Sequence, residues 1–138
     1  IAKTASVKVS DFPFLESFPQ VHHLLAEVQA TKKDSLELWQ VLMSLFPGAS
    51  ITGAPKIKAM EWIQRLEGFA RGIFTGSLGY FSFSGQSQWN IAIRTGLLKG
   101  AQLDLFAGGG ITVDSDPQAE YEETWSKLEG WKKTLLGK

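Results

Sequence analysis

The amino-acid sequence predicts an α+β fold in which an antiparallel β-sheet is packed by helices. Three observations support this class. Alternating apolar stretches near the N-terminus and in the middle of the chain are typical of strands. The joins between the central strands are short and contain glycine, which favours antiparallel hairpins. Three stretches with helical apolar spacing carry start and stop signals, so the predicted order is β, β, α, α, β, β, β, α.

Two strands are predicted before the first helix. The stretch "ASVKV" alternates over a short length, and "VHHLLAEVQA", residues 21–30, alternates over a longer one. In the second stretch neither face is purely polar. A helix therefore remains the alternative for residues 21–30.

Two helices follow in the first half of the chain. The first has a capping-box spacing from Asp34 to Glu37 and ends at "PG", and its apolar positions are Leu38, Trp39, Leu42, Leu45 and Phe46. The second follows the loop "SITGAPK", with Pro55 suited to a first helical turn and Gly68 as its stop. Its apolar stripe consists of Ala59, Trp62, Ile63 and Leu66.

Three strands and a long helix complete the predicted order. The strands are expected within residues 73–85, 88–100 and 101–110. The final helix has Asp116 as its N-cap and Pro117 at its first position. At about 100° per residue, one stripe of this helix is predicted to face the core, and it consists of Tyr121, Trp125, Leu128 and Leu135.

Composition restricts the class of protein. The chain has 138 residues, which suits one domain over 1–138, and its 14 basic and 14 acidic residues cancel. Nothing in this balance predicts binding to nucleic acid or to an anionic membrane. The absence of cysteine fits a reducing compartment, so a cytoplasmic location is expected. No apolar run is long enough to span a bilayer, and the N-terminus lacks a signal-peptide pattern.

The final helix carries the residues best suited to chemistry. Glu120, Glu123 and Lys127 have i, i+3, i+7 spacing, which places two carboxylates and one ammonium on one face. Two such carboxylates can bind a hard cation such as Mg²⁺ together with an anionic substrate. The alternative is a solvated helix face, in which Glu123 and Lys127 form an ordinary i, i+4 ion pair.

Other candidates lie outside this helix. Gly108, Gly109 and Gly110 end a predicted strand, and consecutive glycines let backbone amides approach an anion. Arg94 is predicted to point from a strand and could bind a carboxylate, the alternative being an exposed cross-strand ion pair. His23 could act as an acid or base, or be a hydrogen-bonded core residue. Together these residues predict a pocket for a small molecule with several carboxylates and a metal.

Five segments in order resemble a known family. They are "VHHL", "FPGASITGAPKIKAMEWI", "GSLGYFSFSG", "NIAIRT" and "AGGGITVDSDPQAEYEET", and they resemble the C-terminal part of chorismate-utilising enzymes over essentially the whole chain. The resemblance implies the C-terminal portion of that family's α/β sandwich. It also implies a part in adding ammonia to chorismate, with Mg²⁺ as cofactor. The ammonia would come from a glutaminase subunit or domain.

The resemblance implies roles for the charged candidates. Glu123 matches the glutamate that binds the metal. Glu120 matches its catalytic partner, which reaches the metal through a water molecule or supports the residues that bind it. Lys127 matches a lysine that contacts a substrate carboxylate. Arg94 matches the arginine that binds the enolpyruvyl carboxylate.

Four further residues take roles from the same resemblance. Gly109 and Gly110 match glycines whose amides reach substrate carboxylate oxygens, and Thr52 matches a hydroxyl residue that lines the same pocket. His23 matches a catalytic histidine near the departing C4 oxygen of chorismate. The loop "SITGAPK" is accordingly expected to form a pocket wall.

Departures from the family pattern limit what the chain is expected to do. Phe74 stands where many relatives have tyrosine, and Gln88 where many have aspartate. The family's "PIKGT"-type lysine motif and "DLxRND"-type acidic segment, which supply the nucleophile or base and the other metal glutamate, are absent. The chain resembles the last third of such an enzyme. Alone it is expected to be inactive and to leave a sheet edge and an apolar interface uncovered.

Within the family, two features favour one branch. "SITGAPK" and Asn90 favour aminodeoxychorismate synthase component I, whereas anthranilate synthase component I more often has "TVSGAPK" and lacks that asparagine. The anthranilate branch remains an alternative. A docking domain that keeps the fold without catalysis is a second alternative.

Overall fold

A computed structural model of the chain describes residues 1–10, 13–17 and 22–137, apart from the side chain of His23. The chain divides into two compact units, Ile1–Leu45 and Phe46–Lys138. Within the described ranges, every strand pair is antiparallel, and each unit contains at least one helix as well as strands. The predicted α+β class is therefore confirmed. The expected single sheet is instead a set of separate two-stranded sheets.

The first unit contains two short strand pairs and one helix. β1 (Lys8–Val9) pairs with β4 (Val28–Gln29), and β2 (Phe14–Ser17) pairs with β3 (His22–Leu25). The predicted strand over residues 21–30 is therefore two strands, β3 and β4, with different partners. Its first residue, at position 21, lies outside the described residues. The strand interpretation is confirmed over the helix alternative.

The first helix, α1 (Leu38–Leu45), begins four residues after Asp34, its expected cap, and not one residue after it. Asp34 was predicted to cap this helix, but its carboxylate instead forms an ion pair with Lys3 at 2.8 Å. Gln40 performs half of a capping box, because its side-chain oxygen accepts a hydrogen bond from the backbone N–H of Glu37 at 2.8 Å. Asp34, Glu37 and Gln40 are three residues apart, so the same capping-box spacing fits a helix that starts after Asp34 or after Glu37. Asp34 is paired with Lys3, and the helix starts after Glu37.

The second unit begins with two helices joined at the loop "SITGAPK". α2 (Ala49–Thr52) is a single turn that the sequence did not predict, and α3 (Lys56–Leu66) follows it directly after Pro55. Gly53 lies between them with φ +109°, a conformation that favours glycine. A Cβ on Gly53 would also lie 3.1 Å from the Cβ of Ala59. Glycine is therefore required for this close approach of loop and helix.

Two hairpins follow α3. β5 (Gly79–Phe81) pairs with β6 (Ser87–Trp89), and β7 (Thr95–Lys99) pairs with β8 (Gln102–Phe106). The antiparallel hairpin prediction is confirmed, but the expected strand over residues 88–100 is split between the two hairpins. The split coincides with a positive φ of +49° at Arg94. A non-glycine residue in that region turns the chain out of a ladder, and no alternation pattern signals it.

The last helix, α4 (Pro117–Leu136), begins as predicted. An Asp116 carboxylate oxygen accepts a hydrogen bond from the backbone N–H of Ala119 at 2.8 Å, and Pro117 occupies the first helical position. The predicted core stripe is wrong for three of its members, since Tyr121, Trp125 and Leu135 are 59%, 57% and 52% exposed. A 20-residue helix is about 30 Å long, whereas a five-residue strand is about 17 Å. A five-residue strand that ran along α4 would therefore leave part of the helix uncovered.

Burial is sparse in the part of the chain that the structure describes. Ala92 is the one buried apolar residue there, at 3% exposure, and large apolar side chains are exposed on both units. The predicted uncovered apolar surface is thus present. No helix among the described residues is long and apolar enough to cross a membrane.

Candidate functional site

A cavity of about 410 Å³ lies in the second unit, between the end of β8, the N-terminal part of the unit and α4. The glycine turn at 108–110 forms one wall. Arg94 and Lys127 both reach this cavity, as does Ser50 of α2. The remaining lining residues are Ile51, Glu67, Phe69, Arg71, Phe74, Thr75, Ile93, Ala107 and Ile111.

Lys127 connects α4 to the glycine turn. Its Nζ forms an ion pair with the Glu123 carboxylate at 2.8 Å and donates a hydrogen bond to the Gly108 carbonyl oxygen at 3.1 Å. The lysine side chain is 19% exposed, whereas that of Glu123 is 55% exposed. The expected i, i+4 pair is present, but the contact with Gly108 distinguishes Lys127 from an ordinary surface lysine. Its charge lies at the cavity wall.

Glu120 lies behind the glycine turn, with its two carboxylate oxygens in different environments. Oε1 accepts a hydrogen bond from the Ser115 hydroxyl at 2.7 Å. Oε2 is buried and has no hydrogen-bond partner among the described residues. A Cβ on Gly109 would lie 3.0 Å from this oxygen. Glu120 lines a separate cavity of about 290 Å³ that shares Ile111 with the larger one.

Ser115 fixes the orientation of Glu120. Its hydroxyl oxygen accepts a hydrogen bond from the backbone N–H of Thr112 at 3.0 Å, so its own proton is free to be donated to Glu120. Ser115 and Thr112 close a turn just before α4, where the Ser115 N–H bonds to the Thr112 carbonyl oxygen at 3.2 Å. One carboxylate oxygen is therefore held in place and the other is left available.

Arg94 reaches the cavity from a position that differs from the prediction. It lies between β6 and β7, not within a strand, and its φ of +49° is unusual for an arginine. Its side chain makes no hydrogen bond or ion pair within the described part of the chain. Its carbonyl oxygen accepts a hydrogen bond from Trp131 Nε1 at 3.2 Å. The cross-strand ion pair expected as the alternative is absent from the described residues.

Arg71 and Glu67 form a second charged feature of the wall. Arg71 Nε donates to Glu67 Oε2 at 2.7 Å, and Nη2 donates to the other carboxylate oxygen. Nη1 also donates to the Thr75 hydroxyl at 3.2 Å. The hydrogen bond with Glu67 raises the pKa of Arg71 above its usual value, so the guanidinium stays charged. With Arg71 paired to Glu67 and Lys127 paired to Glu123, Arg94 supplies the cavity's surplus positive charge among the described residues.

A larger cavity of about 570 Å³ lies on the other side of this wall and is lined mainly by apolar residues of α3 and the segment after it. Glu67, Arg71, Phe74 and Thr75 line both cavities. Thr52 lines this second cavity and not the first. Its hydroxyl donates to the carbonyl oxygen of its own turn at 3.2 Å. Thr52 was predicted to line the cavity that contains Arg94 and Lys127, but its hydroxyl instead points toward the start of α2.

Known proteins resemble this chain in both sequence and structure. The sequence model of the chorismate binding enzymes matches residues 1–133. The chain belongs to this family. The structure of anthranilate synthase component I from Streptococcus pneumoniae superimposes with a TM-score of 0.86 at 39% identity, covering 94% of this chain and 30% of that one.

Known enzymes are similar in sequence over nearly all of this chain. Aminodeoxychorismate synthase component 1 of Salmonella typhimurium is 47% identical over 128 residues, which are 93% of this chain and 28% of that protein. Anthranilate synthase component 1 of Aquifex aeolicus is 38% identical over 135 residues, 98% of this chain and 27% of that protein. The chain thus spans less than a third of the length of these relatives.

In this member of the family, the predicted site residues fall into three groups. Arg94, Gly109, Gly110 and Lys127 line one cavity. Glu120 lies beside that cavity behind Gly109, and Glu123 reaches it only through its ion pair with Lys127. Thr52 lies elsewhere in the same unit, and the side chain of His23 lies outside the described residues, although its backbone pairs with Glu16 in β2.

Several lining residues were not predicted. Glu67 and Arg71 have i, i+4 spacing across the end of α3, and this opposite-charge pair was a signal that sequence reasoning could have used. Ser115 directly precedes the N-cap of α4, where serine commonly makes local hydrogen bonds. Phe74, which lies in the wall and stacks on Phe106 with ring centroids 5.4 Å apart, was noted only as a departure from the family pattern.

Proposed function

We propose that the protein containing this chain is aminodeoxychorismate synthase component I, which replaces the C4 hydroxyl of chorismate by an amino group. The product is 4-amino-4-deoxychorismate, a precursor of p-aminobenzoate and folate. The observation that carries the proposal is the shared cavity in which Arg94, Lys127 and the glycine turn meet with a surplus of positive charge. Chorismate has two carboxylates, which such a cavity favours.

Identities of 44–47% to three aminodeoxychorismate synthases support this branch over the anthranilate branch, whose members are 38–40% identical, although the aminodeoxychorismate synthase of Bacillus subtilis is 36% identical. Ammonia would come from a glutaminase subunit or domain. The cytoplasmic location inferred from the absence of cysteine belongs to the same proposal.

The cavity suggests a division of roles among its residues. The Arg94 guanidinium has no described partner, so it is available for two-pronged binding of the enolpyruvyl carboxylate. Lys127 would hold the second carboxylate while keeping its contact with Gly108. Gly109 and Gly110 would let main-chain amides approach the same group, since neither carries a side chain between the backbone and the cavity.

The two glutamates fit a Mg²⁺ ion in part. Glu120 offers a buried, unpartnered oxygen, and Glu123 offers a half-exposed carboxylate one turn further along α4. The described residues contain no cluster of three or more His, Cys, Asp or Glu side chains suited to a metal. Mg²⁺ commonly takes one or two carboxylates and completes its shell with water and substrate oxygens. When bound, it would neutralise a substrate carboxylate and stabilise the charge that develops during the reaction.

The proposed reaction forms a C–N bond and breaks the C4–O bond of chorismate. Ammonia supplies the amino group, and the hydroxyl leaves as water once it gains a proton. Fixed positive charge near the substrate lowers the barrier because it stabilises developing negative charge without reorganisation. Arg94 and Lys127 would provide that charge, and His23 is proposed to supply the proton to the departing oxygen.

The decisive experiment identifies the product. The natural full-length protein that contains these residues is incubated with chorismate, ammonium and Mg²⁺, and the products are separated by liquid chromatography and mass spectrometry. Aminodeoxychorismate supports the proposal. Anthranilate would replace it by the alternative branch, and the absence of turnover with ammonia would favour a docking domain. The Arg94→Ala variant serves as a control and should lose most of the turnover.

A further inference from the structure

We propose that Trp131 is a positioning residue for Arg94. Trp131 lies in the C-terminal half of α4, and its indole Nε1 donates a hydrogen bond to the Arg94 carbonyl oxygen at 3.2 Å. This bond joins two residues that are 37 positions apart, so it connects α4 directly to the segment between β6 and β7. The predicted effect on chorismate binding rests on the proposed function, whereas the predicted effect on the backbone of Arg94 does not.

The backbone of Arg94 needs such a support. A non-glycine residue with φ of +49° is in a sparsely populated region, and conformations of this kind persist where surrounding contacts hold them. The preceding side of Arg94 is held by two backbone hydrogen bonds, from Thr75 N–H to the Ala92 carbonyl at 2.8 Å and from Ala92 N–H to the Gly76 carbonyl at 2.9 Å. Trp131 holds the following side, because it fixes the peptide group that joins Arg94 to β7.

The backbone direction matters because no hydrogen bond or ion pair among the described residues orients the Arg94 side chain. Arg94 lines the cavity, and its side chain makes no hydrogen bond or ion pair to any described residue. The direction of its Cβ is therefore set by the main chain alone. A change in φ at this position would rotate the side chain relative to Gly109 and Lys127, which line the same cavity.

The indole ring of Trp131 packs closely against Gly96 of β7. A Cβ on Gly96 would lie 3.2 Å from Trp131 Cη2 and 3.2 Å from Leu105 Cδ2. Such contacts are tighter than ordinary packing, so a side chain at position 96 would push the ring away from β7. Gly96 has no positive φ that would require glycine for backbone reasons. Its small size is thus explained by the ring that lies against it.

The test compares Trp131→Phe with Trp125→Phe in the natural full-length protein. Trp131→Phe removes the N–H donor and keeps most of the ring. Trp125 is on the same helix and half exposed, and its ring contact is with Tyr121 at 6.2 Å between centroids, so it makes a matched control. Two quantities are measured, namely the φ of residue 94 in crystal structures and chorismate affinity by calorimetry.

The expected result is specific to Trp131. We expect Trp131→Phe to move residue 94 out of the left-handed region and to weaken chorismate binding about threefold to tenfold, the range for one lost hydrogen bond. KM should rise more than kcat falls, because binding of a carboxylate acts on substrate and transition state alike. Trp125→Phe should change neither quantity. An unchanged φ and affinity in Trp131→Phe would overturn the proposal.

A second comparison separates positioning from general stability. In an Arg94→Ala background, Trp131→Phe should have no further effect on affinity, whereas a purely structural role would weaken binding in both backgrounds and so overturn the proposal. If Trp131→Phe does not fold, Gly96→Ala displaces the same ring by its added methyl and should shift residue 94 in the same way. If the wild-type protein binds no chorismate, the proposed function fails, and the φ of residue 94 in the variants still decides the positioning role.

Discussion

Substitution of Lys127 by methionine distinguishes a cavity-wall lysine from a member of a solvated helix face. The change removes two contacts, the ion pair with Glu123 and the hydrogen bond to the Gly108 carbonyl. An i, i+4 pair with a half-exposed partner contributes about 0.3–0.5 kcal/mol. A hydrogen bond from a charged donor contributes about 1.5–3 kcal/mol, and the exposed carbonyl of Gly108 places it near the lower end.

The expected loss for Lys127→Met is therefore about 2 kcal/mol. Its matched control is Glu123→Gln, which removes only the ion pair and should cost about 0.5 kcal/mol or less. The free energy of unfolding is measured by urea denaturation in metal-free buffer, followed by circular dichroism. The salt dependence gives a further check, because the half-exposed ion pair is screened by 1 M salt more strongly than the hydrogen bond.

One outcome of comparing Lys127→Met with Glu123→Gln would contradict the cavity-wall role of Lys127. If Lys127→Met costs no more than Glu123→Gln, the contact with Gly108 contributes nothing and the surface-pair interpretation is correct. The glycine turn would then not be tied to α4 by this lysine. A methionine of similar length preserves the apolar stem, so a larger loss would not arise from lost packing alone.

Three further predictions concern the same unit. Gly130→Ala should stabilise the protein by about 0.5–1 kcal/mol, because its added methyl meets nothing within 4 Å inside α4, while Gly137→Ala should destabilise it by about 1 kcal/mol because φ there is +63°. Thermal unfolding of both variants measures this, and equal signs would refute it. Arg71→Lys keeps the charge but loses the two-pronged contact, so chemical denaturation should show a loss of about 1–2 kcal/mol, and an unchanged midpoint would argue against that contact. Ser115→Ala frees the carboxylate of Glu120 and should weaken Mg²⁺ binding roughly tenfold in titration calorimetry, with wild-type affinity counting against its orienting role.

The helices were predictable because their signals are local. Asp116 and Pro117 define the start of α4 from two adjacent residues, and helical spacing predicts α1 and α3 without knowledge of any partner. The cap of α1 was misplaced because Asp34 has a distant ion-pair partner, Lys3, that no local pattern reveals. Local signals thus predict elements better than the contacts that compete for their ends.

The strands were less predictable for a different reason. Residues 88–100 alternate like one strand, but positive φ at Arg94 divides them between two hairpins. The Arg94 carbonyl oxygen accepts a hydrogen bond from Trp131, 37 positions away, and no local pattern in the sequence signals that contact. Positive φ in a non-glycine residue has no reliable signature in composition or spacing. The break could be found only from coordinates.

The candidate site was predicted in part for the same reason. Helical geometry places Glu120, Glu123 and Lys127 on one face of α4, so their proximity follows from spacing. That Arg94 and Gly109 meet Lys127 in one cavity requires the fold, and the family resemblance supplied what spacing could not. Neither source predicted that Glu120 opens on a neighbouring cavity, because that depends on the turn that Ser115 closes.

The glycine turn at 108–110 constrains how this cavity can change over evolution. Its contribution to the wall is made of peptide groups, and a codon change cannot delete a peptide group. Any substitution there can only add atoms, and at Gly109 the first added atom would come within 3.0 Å of Glu120. At Gly110 a Cβ would meet nothing within 4 Å, and at Gly108 the nearest atom would be Phe74 Cζ at 3.8 Å, so Gly109 is the position of the turn at which a side chain would meet steric conflict.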